Sequence, residues 1–159
     1  MLDACVVSKL AYGLQTACMN QAERKKLDGF HARCLRQILR IQPSFYSRIS
    51  NDVIFQRAHS MRVSERILLQ QMVYFGHLAR RTDDDPVRAL VFAEGLFEPL
   101  PPAACRRQGR PRSSWVNTVY AHCVKAAGSA ESLSWYLQPT AEASRAWCRA
   151  ACQYICNIL

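Results

Sequence analysis

Apolar residues recur every three or four positions over most of the chain, which is the spacing of one face of an α-helix. Residues 21–41 carry such an apolar stripe, formed by Leu27, Phe30, Cys34, Ile38 and Ile41. The same segment carries a basic stripe, formed by Lys26, Arg33, Arg36 and Arg40. At about 100° per residue the two stripes lie roughly opposite each other. The pattern predicts a helix that packs on a core and displays four cations, either as a solvated face or as a binding face.

The pattern predicts further helices on both sides of this one. The segment from Leu2 to Met19 is mostly apolar and is expected to form a short helix or a buried segment. The other predicted helices run from a cap at Ser50 to Ala58, from Ser64 to Arg80 and Arg81, from the turn Thr82–Pro86 onward, from Ser113 or Ser114 to Gly128, and from Thr140 to the end of the chain. Gly76, inside the most apolar of them, predicts the close approach of another backbone.

A change of composition separates two helical sections. Pro99, Pro101 and Pro102 precede a run of basic residues, and no acidic residue occurs from residue 99 to 130. This run contains Arg106, Arg107, Arg110 and Arg112. Because like charges repel, we expect an extended basic arm. The predicted fold class is therefore all-α: a helical bundle, a basic Pro/Arg-rich linker over residues 93–112, and a second small helical section.

Charge and composition narrow the possible partners. The 159 residues include 21 Lys and Arg against 12 Asp and Glu, a formal net charge of +9, and only four of the cations are Lys. Arginine suits phosphate because its planar guanidinium donates two parallel hydrogen bonds. No uncharged run reaches the roughly 20 apolar residues of a membrane span, and Asp3 and Lys9 break the order of a signal peptide. We expect an intracellular chain, nuclear or cytoplasmic, with an anionic partner and no membrane.

Candidate catalytic and metal-binding residues have simpler interpretations. Asp83, Asp84 and Asp85 precede a proline between helices, where turn and capping chemistry is usual. Cys148, Cys152 and Cys156 share a helical stripe but lack a fourth zinc ligand, so helix packing is favoured over a zinc site. Glycine-rich phosphate loops, nucleophile elbows and H-E-x-x-H motifs are missing from the sequence. The sequence predicts no catalytic residue, no metal site and no cofactor.

The arm suggests one specific interaction with nucleic acid. The Gly-Arg-Pro core of residues 108–112 resembles the AT-hook, whose arginines enter the minor groove of A·T-rich DNA, although Gln108 stands where that motif has arginine. Contact of a flexible basic arm with phosphates is the favoured alternative.

Several stretches together resemble LINE-type (non-LTR) retrotransposon reverse transcriptases. Three of them look like signature stretches that follow the catalytic core of that family: 30–41 (FHARCLRQILRI), 75–80 (FGHLAR) and 109–115 (GRPRSSW). Residues 9–13 (KLAYG) resemble the end of the core, and 144–147 (SRAW) resemble the closing stretch. The order and approximate spacing fit from about residue 7 to 150, although Ser8 stands where the family has proline.

The resemblance implies a division of the chain and a function. Residues 1–19 would be a remnant of the end of the polymerase core, 20–92 a thumb-like bundle, 93–112 the linker and 113–159 further helices. The thumb and the following helices would hold template RNA or target DNA through backbone phosphates, and the upstream polymerase core would be a partner. The palm aspartates belong upstream, so we expect a fragment without its own polymerase site. The expected phosphate contacts are Lys26, Arg33, Arg36, Arg40, Arg106, Arg107, Arg110 and Arg112.

Two other classes of function remain open. One is a helical protein-interaction module, in which the positive charge confers only solubility. The other is a decayed fragment without autonomous activity. A helix-turn-helix regulator is disfavoured because no recognition helix with a polar, base-contacting face stands out.

Overall fold

Helices dominate the computed structural model, which describes residues 3–100 and 114–158, and the predicted all-α class is confirmed there. A π-helical turn at Asp3–Val7, a 3₁₀ turn at Leu14–Thr16 and an isolated antiparallel bridge between Phe92 and Pro99 complete the regular structure of these ranges. The α-helices are α1 Ser8–Ala11, α2 Gln21–Ile38, α3 Ser44–Ser47, α4 Asn51–Arg57, α5 Val63–Ala79, α6 Pro86–Ala89, α7 Trp115–Ala127, α8 Ala130–Tyr136 and α9 Ala141–Ile158.

The chain forms two compact units, Met1–Leu68 and Leu69–Leu159, and the boundary between them falls inside α5. The domain limits implied by the family resemblance stay predictions. None of the helices in the described ranges is both long enough and apolar enough to cross a bilayer.

Two apolar clusters form the core of the first unit. In one, α2 packs on α4 through Ala32, Leu35, Ile54 and Phe55. In the other, the N-terminal turns pack on the start of α5 through Val7, Ala11, Val63 and Ile67. A polar link joins α2 to α5, because the Asp28 carboxylate accepts hydrogen bonds from the backbone N–H of Ser64 at 3.0 Å and from its hydroxyl at 2.7 Å. Asp28 thus satisfies a donor in the first turn of α5, where helix N–H groups lack partners.

The two ends of α2 are closed by different hydrogen-bond patterns. Its start is a capping box: the Asn20 side chain accepts from the N–H of Glu23 at 2.9 Å, and the Glu23 carboxylate accepts from the N–H of Asn20 at 2.8 Å. Its end lies at Ile38, three residues before the predicted end. The N–H of Ile41 bonds to the carbonyl of Arg36 at 2.9 Å, which is a Schellman closure, and Arg40 takes the left-handed position with φ +53°. Glycine is usual at that position, so the sequence lacked the signal for the stop.

The capping residues predicted for the shorter helices are found in place. Ser50 accepts from the N–H of Val53 ahead of α4, and Asp85 accepts from the N–H of Val87 at 2.8 Å ahead of α6. Gly128 ends α7 with a left-handed φ of +85°. The helix α8 was not predicted; it begins at Ser129, whose hydroxyl accepts from the N–H of Ser132 at 3.0 Å.

The indole of Trp147, on α9, is fully buried in the core of the second unit. Its Nε1–H donates to the carbonyl of Met72 on α5 at 3.0 Å, and its ring lies 5.8 Å from that of Tyr136 on α8. Gly76 makes this contact possible, because an ideal Cβ there would lie 2.7 Å from two atoms of the indole. The predicted close approach at Gly76 is therefore correct, but the neighbour is a side chain and not a backbone.

The cysteines have varied environments. Cys123 is fully buried on α7, and burial raises the pKa of its thiol strongly. Cys152 and Cys156 are exposed, so the predicted helix packing of the cysteine stripe on α9 is wrong for these two. Their thiols face solvent because the buried face of α9 follows Trp147, Ala151 and Ile155 instead.

Replacing Gly76 by alanine tests the indole contact. We expect Gly76→Ala to lower the free energy of unfolding by about 1–3 kcal/mol, since overpacking against Trp147 outweighs the better helix propensity of alanine. The matched control is Gly29→Ala, in α2, where a Cβ meets nothing within 4 Å. That substitution is expected to add roughly 0.5–1 kcal/mol. Urea unfolding followed by circular dichroism measures both, and an unchanged or raised stability for Gly76→Ala would contradict the contact.

Candidate nucleic-acid interface

The basic stripe predicted on α2 divides into exposed and buried members. Lys26 and Arg33 are exposed on the helix, and Arg40 is exposed in the turn that follows it. The Arg33 Nε donates to the carbonyl of Gly29 at 3.3 Å, one turn earlier. Among the described residues, no acidic side chain forms an ion pair with these three cations. Their charges are therefore available to an external anion.

Arg36 contradicts the prediction of outward display, because it is only 4% exposed. Its guanidinium donates to the carbonyl of Ile49 at 2.6 Å and to the carbonyl of Gln42 at 3.2 Å. It also donates to the Asn51 amide oxygen at 3.1 Å and to the Ser47 hydroxyl at 3.3 Å. Four acceptors compensate for the loss of water around the charge. Arg36 therefore holds the connection between α2 and α4 and leaves the expected set of phosphate contacts.

The buried face of α2 also differs from the predicted apolar stripe. The buried residues are His31, Ala32, Leu35 and Arg36, whereas Phe30 is partly exposed and Ile38 is 60% exposed. His31 is buried with its ring centroid 5.3 Å from that of Phe55. A hydrophobicity pattern counts histidine and arginine as polar, so it placed the buried face about one residue away from its true position.

Four of the five acidic residues of the first unit have partners elsewhere. Glu23 completes the capping box of α2 and Asp28 bonds to Ser64. Asp52 and Glu65 both pair with Arg62, at 2.7 Å and 3.5 Å. The residues of this unit include eleven Lys and Arg against five Asp and Glu, so its surface keeps an excess of positive charge.

An exposed aromatic pair in the segment between α2 and α4 was missed at the sequence level. Phe45 and Tyr46 form half of the four-residue helix α3, and they are 74% and 71% exposed. A helix of this length shows no periodicity, so the available signal was only an aromatic pair between Pro43 and Arg48 in a segment without acidic residues.

The second unit carries a weaker group of cations. Arg145 and Arg149 on α9 are exposed, and they line an open cleft of about 630 Å³ together with Glu142, Ser144 and Cys148. The carboxylate in this cleft makes it less suited to phosphate than the α2 surface. The expected contacts Arg106, Arg107, Arg110 and Arg112 lie outside the described residues and stay predictions.

The aspartate cluster is a turn and a cap, as predicted. Asp85 caps α6, and Asp83 pairs with Arg88, which is buried and also donates to the carbonyls of Ala79 and Leu96 at 3.3 Å each. Hydrogen bonds to the N–H groups of α6, those of Val87 above all, lower the pKa of the Asp85 carboxyl. Within residues 3–100 and 114–158, no three His, Cys, Asp or Glu side chains gather where they could hold a metal ion.

Comparison of the chain with protein-family models, with curated protein sequences and with solved structures found no match.

The role of Arg36 is tested by truncation. Arg36→Ala removes the donor that four acceptors share, and we expect it to lower the free energy of unfolding by about 2–4 kcal/mol. The control, Arg33→Ala, removes an exposed cation from the same helix and should change stability by about 0.5 kcal/mol or less. Thermal and urea unfolding of the two variants measure the difference. Equal stabilities would show that the guanidinium of Arg36 does not hold this connection.

Proposed function

We propose that the chain binds nucleic acid through the sugar–phosphate backbone, without sequence preference, and that it corresponds to the thumb and post-thumb region of a non-LTR retrotransposon reverse transcriptase. The observation that carries the proposal is the group of exposed cations without acidic partners: Lys26, Arg33 and Arg40. Arg106, Arg107, Arg110 and Arg112 of the arm add further phosphate contacts. This function places the chain inside the cell, in the nucleus or the cytoplasm.

The packing of the second unit supports the family assignment. Residues 75–80 and 144–147, two of the stretches that resemble the family, meet where Trp147 packs on Gly76. Trp115, at the end of a third stretch, lies with its ring centroid 5.9 Å from that of Tyr74. Residues that are distant in sequence but belong to one family pattern are expected to be joined by such contacts. Arg80, also in this pattern, donates to the carbonyl of Tyr136 at 3.4 Å, and its partial burial lowers the pKa of its guanidinium.

A protein-interaction function is the second candidate, and the N-terminal segment favours it. Tyr12 is 89% exposed within the stretch that resembles the end of the polymerase core. In the proposed assignment an upstream core would cover this residue.

Heparin elution and size-exclusion chromatography at the same ionic strength separate the two candidate functions. Late heparin elution of a monomer favours nucleic-acid binding, and weak heparin retention of an oligomer favours a protein partner.

The salt dependence of binding tests the α2 surface directly. For duplex DNA each phosphate contact contributes about 0.9 to the slope of log K against log salt. The variant K26A/R33A/R40A is therefore expected to flatten this slope by up to about 2.7. Fluorescence anisotropy with one labelled duplex over a range of salt concentrations measures the slope.

The matched control is K125A/R145A/R149A, which removes three exposed cations from the second unit and gives the same net charge. A slope that both triple variants change equally would indicate diffuse attraction and contradict a site on α2. Alanine replacement of Arg106, Arg107, Arg110 and Arg112 tests the arm in the same assay, and an unchanged slope would remove the arm from the proposal.

A further inference from the structure

The connection between α2 and α4 presents two large aromatic side chains to solvent. Phe45 and Tyr46 lie on α3 with their ring centroids 5.3 Å apart and their planes at 86°. About three quarters of each side chain is exposed, although aromatic residues contribute most to a core when they are buried. Adjacent exposed aromatic rings are the feature that proteins use to stack unpaired bases.

Two exposed arginines lie in the same connecting segment as the aromatic pair. The guanidinium carbon of Arg48 lies 6.0 Å from the centroid of the Phe45 ring. Arg40 and Arg48 are both exposed, and both adopt left-handed backbone conformations, with φ of +53° and +56°. No acidic residue occurs between Asp28 and Asp52. The charge around the rings therefore complements an anion.

Hydrogen bonds from a buried arginine fix the segment that carries these side chains. The buried Arg36 donates to Gln42, Ser47, Ile49 and Asn51, which lie before, within and after α3. The Ser47 hydroxyl in turn donates to the carbonyl of Pro43 at 3.2 Å. An ordered loop loses less conformational entropy when it binds, so this network favours a binding role over a collapsed apolar turn.

We propose that Phe45 and Tyr46 form a stacking platform for the bases of single-stranded nucleic acid, with Arg40 and Arg48 on the flanking phosphates. The proposal rests on the proposed nucleic-acid function and adds the strand state and the place of base contact. A duplex keeps its bases stacked inside the helix, so its base faces do not reach a surface platform. An extended single strand exposes both bases and phosphates, which matches an exposed aromatic pair in a segment that also carries two exposed arginines.

The test compares four probes of about 12 nucleotides, within the roughly 4–16 nucleotides that one single-strand-binding fold covers: oligothymidylate, oligouridylate, a DNA duplex, and a strand of abasic deoxyribose phosphates. Anisotropy measures binding to the full chain and to the variant F45L/Y46L, which keeps apolar side chains but removes both rings. The variant is expected to bind oligothymidylate about tenfold more weakly or worse, because stacking contributes about 1–3 kcal/mol per base. Its affinity for the duplex and for the abasic strand should stay within about twofold. Comparison of the two homopolymers ranks the DNA strand against the RNA strand.

Tyr12→Leu is the control, since it removes another exposed ring from residues 9–13, which contain no arginine. It should bind every probe as the original chain does. Circular dichroism shows whether the variants keep their helices. If the original chain binds the abasic strand as tightly as oligothymidylate, the platform is wrong while the proposed function stands; this comparison needs no variant.

The remaining outcomes are also decisive. If the original chain binds none of the four probes, the proposed function and the platform both fail. If F45L/Y46L converts a dimer to a monomer in size-exclusion chromatography and leaves oligothymidylate binding unchanged, the rings contact a second copy of the chain, and the platform is wrong.

Discussion

The buried guanidinium of Arg36 determines the arrangement of the first unit around the candidate site. A charged group removed from water is costly unless its donors are satisfied, and Arg36 meets this requirement with backbone and side-chain oxygens from one connecting segment. The guanidinium can be satisfied only when the segment folds back toward α2. The position of α3, the start of α4 and the display of the neighbouring cations follow from that single requirement.

Arg88 plays a comparable part in the second unit. It is buried, and it donates to the carbonyl of Ala79 at the end of α5 and to that of Leu96 beyond α6. Its guanidinium carbon lies 5.7 Å and 5.9 Å from the ring centroids of Phe92 and Phe97. Arginine therefore serves two purposes in this chain. Some guanidinium groups organise loops in place of apolar side chains, and others remain exposed at the surface.

Short-range chemistry accounts for what the sequence could predict. The starts of α4 and α6 were predictable because Ser50 and Asp85 bond to N–H groups two or three residues ahead. The end of α2 was not, because Arg40 occupies a backbone conformation that glycine usually marks. The buried face of α2 escaped prediction for a related reason: burial of His31 and Arg36 depends on partners from α4 and the preceding loop. The exposure of Lys26 and Arg33 was predictable from the basic stripe. Phe45 and Tyr46 were recognised as candidate binding residues only because the structure shows both side chains exposed.

The left-handed conformation of Arg40 has a consequence for evolution. A side chain at this position costs about 1 kcal/mol relative to glycine, which adopts the same φ without steric conflict. Selection for heat resistance alone would favour glycine here and would remove the charge from the surface. A lineage that retains arginine at residue 40 would therefore keep a surface charge at the expense of durability of the fold.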